Sequence, residues 1–263
     1  MKRALLALDG AFVLGLGLYM LLLTRTEAYA AFMNPRFRPL TVAAAVGFLI
    51  VGAAFMVRPA GGTNILRTLC FAILSMLALT AGAGALKRPA GFAVKPPPEV
   101  RVDPEPYMVW NGDRYLKSNP ARLFLSVQAD PAARSDQRYV TRGIVKRSAQ
   151  LDRLGKFAVL RGNMVCCLAD AIAMGMMVAG EGVPLLQDGD WVVVFGRLQP
   201  LPEAVLIGDL GGTAEVPFSM VQDKAFLAVE AIEKIERLHF PYVFELPSSG
   251  KEPPRLTGGD DDY

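Results

Sequence analysis

Two adjacent cysteines followed three residues later by an aspartate are the side chains here whose types and spacing suit chemistry. They lie in the stretch Arg161-Gly-Asn-Met-Val-Cys-Cys-Leu-Ala-Asp-Ala171. Thiolates favour zinc or Cu(I), and a nearby carboxylate completes part of a zinc shell, so Cys166, Cys167 and Asp170 form a candidate metal site with zinc as its cation. Local geometry decides how many of them act together. On a strand, Cys166 and Cys167 point to opposite faces. On a helical turn, Asp170 is at i+4 from Cys166 and i+3 from Cys167, near both. Arg161 supports the motif by pairing with Asp170 and fixing the turn. Three ligands are one short of a closed zinc site, and His239, the single histidine, is too distant in sequence to place.

The competing structural reading makes one cysteine a small core residue and the other a turn residue, because free cysteine is among the most buried side chains. A thiol redox role is a third reading and requires a depressed thiol pKa. Neighbouring cysteines close a strained disulfide ring, and Cys70 sits in an apolar run, so no disulfide framework follows. Met164, Met174, Met176 and Met177 surround the pair; filling apolar gaps accounts for them better than capture of Cu(I).

The elements that position this motif belong to two different environments. Hydrophobic residues make up 52% of the chain and mean hydropathy is +0.31, but the apolar weight is concentrated before residue 87. Crossing a hydrocarbon core takes roughly 20 helical residues, and three runs meet that length: 4–23, 40–57 and 68–86. Together they define a transmembrane region over 1–86. Asp9 is the ionisable residue within these runs, placed near the interface or against a neighbouring helix. Gly10, Gly15 and Gly17 thin the first run, and Gly47 and Gly52 the second, as helix contact within a bilayer requires. Lys2-Arg3 before the first run and Ala28-Tyr29-Ala30 after it also resemble a secretory signal, but the apolar stretch is longer than a signal core.

Residues 87–106 carry Pro89, Pro96, Pro97, Pro98, Pro104 and Pro106, which favours an extended spacer. A soluble domain follows over 107–246, and 247–263 reads as a disordered acidic tail ending in Asp260-Asp261-Asp262. Within the domain a short helix is expected near Ala121–Val127. Strands are expected at Tyr139–Arg147, Lys156–Arg161, Met174–Val178, Trp191–Leu198 and Phe226–Ile235. Gly143 in the first strand suits a strongly curved sheet. Five short strands suggest an OB-like small barrel. The fold class is therefore an α+β membrane protein, three helices followed by a mostly β domain.

Three features occur in the order shown by the YcgQ-like family of uncharacterised bacterial membrane proteins, which the chain resembles. They are Tyr29-Ala-Ala-Phe-Met-Asn-Pro-Arg36, Phe157-Ala-Val-Leu-Arg-Gly-Asn-Met-Val-Cys-Cys-Leu-Ala-Asp170 and Pro241-Tyr-Val-Phe244. The middle one is the specific one. The resemblance implies a subunit of a two-component permease complex, with a large polytopic permease as partner. Some relatives carry a His-rich tract between the second and third runs; 58–67 here contains no histidine.

No Ser-His-Asp order, paired catalytic carboxylates, Walker loop or dinucleotide fingerprint is present, so an enzyme is not expected. A net charge of +3 with no long basic block argues against nucleic acid. The expectation is a multi-pass protein of the bacterial plasma membrane, in contact with the lipid bilayer. Its soluble domain sits outside the cytoplasm if Lys2-Arg3 sets the orientation. Its function is that of an accessory subunit whose barrel senses or captures substrate. The alternative is a stand-alone anchored protein binding zinc or copper.

Overall fold

A computed structural model describes residues 2–57, 69, 73, 76, 107–129, 136–180, 186–201, 207, 210–238 and 241–244. The chain divides into two compact units, Met1–Val94 and Lys95–Tyr263.

In the first unit, α1 (Lys2–Arg25) and α2 (Arg38–Val57) match the first two expected runs, each extended by up to two residues. Both are long and apolar enough to cross a membrane. The two helices pack antiparallel through small residues. A Cβ on Gly52 would stand 2.8 Å from Leu14 N and 3.0 Å from Gly10 O, and one on Gly17 would stand 2.9 Å from Ala45 O. Backbone therefore meets backbone at two levels seven residues apart on each helix, the close approach that drives helix pairing where water cannot. Asp9, adjacent to Gly10, is 1% exposed. The third expected run, 68–86, lies outside the described residues except for Leu69, Ile73 and Met76, each helical. The proline-rich spacer, the acidic tail and His239 also lie outside them.

The link between α1 and α2 gives the Tyr29–Arg36 motif a physical role. Two short 3-10 turns, Glu27–Ala31 and Pro35–Phe37, reverse the chain. Tyr29 is fully buried, and its hydroxyl lies 2.8 Å from Thr41 Oγ1, which donates to the Phe37 carbonyl. Asn34 Oδ1 accepts from Arg36 N at 3.1 Å and caps the second turn. The Arg38 guanidinium stands 5.6 Å from the Tyr29 ring centre.

The second unit opens with a hairpin, β1 (Tyr107–Trp110) and β2 (Asp113–Lys117), turned by Asn111-Gly112, both at positive φ. Then come α3 (Pro120–Ala129), β3 (Arg138–Lys146), α4 (Ala149–Arg153), β4 (Lys156–Asn163), β5 (Ile172–Ala179), β6 (Trp191–Pro200), β7 (Ser219–Lys234) and β8 (Tyr242–Val243). The sheet order is β1-β2-β3-β6-β7-β5-β4-β8, and β3 also pairs with β4. Strands β3, β6, β7, β5 and β4 thus form a closed ring of pairings, antiparallel except for β5 with β7. These are the five strands expected from the sequence, β7 beginning seven residues earlier. The hairpin, α4 and β8 were not anticipated.

Alternation along the ring strands sorts side chains into separate cores. Phe157, Val159, Met176, Val194 and Leu227 pack with Leu123 and Val127 of α3. Ala158, Leu160, Met164 and Met177 pack with Leu151, Val216 and Tyr242. Each such large apolar side chain contributes about 1.5–3 kcal/mol on burial. Curvature is set at the successive carbonyls of Val159 and Leu160, each approached by a glycine of a neighbouring strand. A Cβ on Gly143 of β3 would lie 2.6 Å from Leu160 O, and one on Gly175 of β5 would lie 1.9 Å from Val159 O. Gly175→Ala therefore forces the strands apart, and overpacking of this kind costs about 1–3 kcal/mol or more. The thermal midpoint of the β domain should fall by at least about 5 °C, whereas Gly47→Ala, where a Cβ meets open space, should leave it unchanged.

Candidate functional site

Strand β4 ends at Asn163 and β5 begins at Ile172, and the turn between them carries the two cysteines. Met164 N donates to Val243 O at 3.0 Å, and Met164 is fully buried, so the turn is anchored at its start. Leu168–Asp170 form one 3-10 turn with Cys167 at its N-cap in an extended conformation. Asp170 reaches back over this turn as the acidic half of a capping box does. Its Oδ1 accepts from Val165 N at 3.0 Å, and its Oδ2 accepts from Cys166 N at 2.8 Å and Cys167 N at 3.2 Å. The turn is neither the strand nor the α-helical turn considered from the sequence. It nevertheless brings both thiols to one side, with Cys166 Sγ 3.6 Å from Cys167 Sγ. One ligand atom from each of Cys166, Cys167 and Asp170 lies within 4.8 Å of the others. Cys166 is exposed and Cys167 half-buried.

The electrostatics of the turn favour a protonated thiol. The Cys166 thiol is pushed up to about 12, first by its hydrogen bond to Asp170, then by that to Cys167. Burial alone would raise the Asp170 carboxyl; the Cys166 thiol and the three backbone amides outweigh it and hold the carboxyl below its ordinary value. A nucleophilic or redox-active cysteine needs the opposite, a stabilised thiolate.

Arg161 lies elsewhere than its expected place beside Asp170. It is fully buried on β4, Nε donates to Pro241 O at 3.2 Å, and its guanidinium stands 5.6 Å from the Trp191 ring centre. Strand β8 pairs in parallel with the end of β4, Gly162 opposite Tyr242 and Asn163 opposite Val243. The Pro241–Phe244 and Cys-Cys motifs are thus neighbours in space, one bracing the strand from which the other turns. Met164, Met176 and Met177 are core residues, the apolar packing role the sequence favoured.

A second polar cluster escaped the sequence reading because its members are far apart in the chain. Glu230 occupies an irregularity of β7, between residues paired with Phe195 and Gly196. It accepts from Tyr115 OH at 2.6 Å and is reached by Arg138 Nε at 3.1 Å and Arg197 at 3.3 Å. Arg138 also pairs with Asp113. Two cations face two anions, so the cluster fastens the β1–β2 hairpin to the ring and leaves no net charge for a ligand. Burial and the Glu230 hydrogen bond push the Tyr115 phenol up to about 12. Burial opposes ionisation of Glu230, but bonds from Tyr115, Arg138 and Arg197 prevail and lower its pKa.

Residues 119–245 match the family described as the DUF1980 C-terminal domain. This stretch begins just before α3 and ends after β8, so it contains the whole ring and the Cys-Cys turn. The comparison with curated proteins found no match. Among solved structures, a Leishmania major Friedlin chain assigned as an aspartyl-tRNA synthetase is similar at 12% identity, over 47% of this chain and 22% of that one, with a TM-score of 0.20. The chain therefore spans about a fifth of that structure's length, and a likeness at this score carries no argument.

Two outcomes follow from the two clusters. Asp170→Asn removes the charge that keeps the Cys166 proton in place, so alkylation of Cys166 by iodoacetamide at pH 8 should accelerate at least about tenfold; an unchanged rate would show that Asp170 does not control the thiol. Glu230 has a lowered folded pKa, so its contribution is present above the unfolded value of about 4.3 and lost as pH falls through the folded value. The midpoint difference between the natural protein and Glu230→Gln should accordingly be seen at pH 7 and vanish in stronger acid.

Proposed function

We propose that the chain is a membrane-anchored accessory subunit of a permease complex, with its β domain serving as an OB-like sensing or capture module. The observation that carries this reading is the character of the α1–α2 pair. Small residues hold the two helices together, while Leu18, Leu22, Leu40, Val46, Ile50 and Val57 remain 44–78% exposed. An apolar surface of this extent needs lipid or other helices against it. Two or three spans are few for a transporter acting alone, so a polytopic partner in the bacterial plasma membrane is the natural cover. With three crossings and Lys2-Arg3 held in the cytoplasm, the β domain stands on the extracytoplasmic side.

The OB-like reading is supported by the ring order and by the single parallel contact, β5 with β7, among five otherwise antiparallel neighbours. OB barrels bind ligands across their second and third strands, which here are β4 and β5. The Cys-Cys turn joins that pair, at the edge where a captured ligand arrives. Fold analogy supplies a location and leaves the ligand to the chemistry of the residues.

Affinity purification of the full chain after mild detergent extraction tests the subunit reading. A polytopic membrane protein should be recovered in near-stoichiometric amount. Gly47 has open space around it, so Gly47→Leu should lower that recovery by several-fold without changing the level of the chain itself. A chain that purifies alone, at full yield, overturns the reading.

A further inference from the structure

We infer that Cys166, Cys167 and Asp170 form an open three-ligand site for a thiophilic divalent cation of the zinc class, exposed on the turn between β4 and β5 and built for exchange.

The bite of the two thiols is the first argument. With metal–sulfur bonds of about 2.3 Å, sulfurs 3.6 Å apart subtend about 103° at the metal, close to the tetrahedral angle that zinc adopts. Adjacent cysteines on a strand would diverge. Here the extended backbone of Cys167, entering a 3-10 turn, returns its side chain to the side of Cys166. The chelate therefore exists before the ion arrives, and little ordering of the turn remains to oppose binding.

Asp170 supplies the second argument, through the count of its acceptor sites. An ionised carboxylate offers about four lone-pair positions. Three are taken by the amides of Val165, Cys166 and Cys167, and a carboxylate oxygen lies within 4.8 Å of both sulfurs. A divalent cation entering between the sulfurs replaces the two thiol protons, which leave to solvent. The fourth carboxylate position then serves as the third ligand, while the amides keep the carboxylate aimed. Asp170 is thus a turn clamp and a ligand together, and the backbone amides orient it as outer-shell partners orient the ligands of known metal sites.

Openness is the third argument. Structural zinc sites close with four protein ligands, whereas three leave a position for water or an incoming group. Among the described residues no other histidine, cysteine or acidic side chain joins these three, and Cys166 is exposed. A fourth ligand from a partner or from water enters without unfolding anything, so the site suits receiving and handing on an ion better than storing one. The inference stands apart from the accessory-subunit reading, because metal binding is measured on the purified chain whether or not a partner accompanies it.

The test is titration of the detergent-solubilised full chain, kept reduced, with Co(II) as a spectroscopic probe and then with zinc by equilibrium dialysis. The natural protein and Cys70→Ser should each bind one equivalent and show sulfur-to-cobalt charge-transfer absorption with the band pattern of a four-coordinate ion. Cys166→Ser and Cys167→Ser should each weaken zinc at least tenfold and reduce that absorption. Asp170→Asn should weaken zinc but keep two-sulfur absorption, which separates a lost ligand from a lost fold. Unchanged circular dichroism in the variants excludes misfolding as the cause. Absence of sulfur-to-cobalt absorption in the natural protein, or its persistence when both cysteines are serine, overturns the inference.

Discussion

The β domain depends on one close approach, where the successive carbonyls of Val159 and Leu160 on β4 meet the backbone of its two neighbours. Gly143 of β3 and Gly175 of β5 lack the Cβ atoms that would forbid it. That approach lets β4 pair with both neighbours, so the ring closes and presents no open edge between β3 and β4 at this level. Closure in turn separates the core beneath α3 from the core beneath Tyr242. It also obliges β4 to leave β3 after Leu160 and take β8 as its next partner. The cysteine turn hangs from the end of that strand, so its position is a distant consequence of two missing methyl groups.

The five ring strands were legible because each is a short apolar run between turn signals, most of them carrying β-branched or aromatic residues, with the methionine-rich Met174–Val178 read from its apolar character alone. Gly143 was legible as a mark of curvature. Gly175 was hidden inside an apolar run whose periodicity gave no reason to single it out. The hairpin had a readable Asn-Gly turn, but its strands mix charged and aromatic residues and alternate poorly. Strand β8 is two residues long and is held by pairing with β4 and by burial of Tyr242 in the core, tertiary facts that no local pattern carries. The two described apolar helices were plain from length and hydropathy. Their glycine contacts were foreseeable in kind, though the partners of each glycine were not.

The candidate site was legible in composition and misread in its electrostatics. Cys166, Cys167 and Asp170 do meet, and the sequence spacing was sufficient to expect that on a turn. Arg161 looked like the partner of Asp170 because both are charged and separated by one loop. Instead the carboxylate is satisfied by backbone amides within its own turn, which a sequence does not display. The arginine is drawn into a buried position by the Pro241 carbonyl and the Trp191 face. Charge complementarity between two side chains is a weak guide where main-chain donors lie closer, because an amide three residues away competes without ordering a second long side chain. The Glu230 cluster has the opposite character, since its members come from four strands, β2, β3, β6 and β7, and become neighbours only once the ring is formed.

The brace between Arg161 and Pro241 joins residues 80 positions apart, and this bears on the order in which the protein can be made. Synthesis delivers β4 well before β8, so the nascent domain holds a guanidinium on a strand whose last neighbour has yet to emerge. Contacts of long sequence separation also slow the search for the native arrangement. The amide that anchors the start of the Cys-Cys turn, that of Met164, finds its acceptor only when Val243 arrives. The far brace of the thiol turn is therefore completed only once nearly the whole domain has left the ribosome, while its inner bonds lie within residues 165–170.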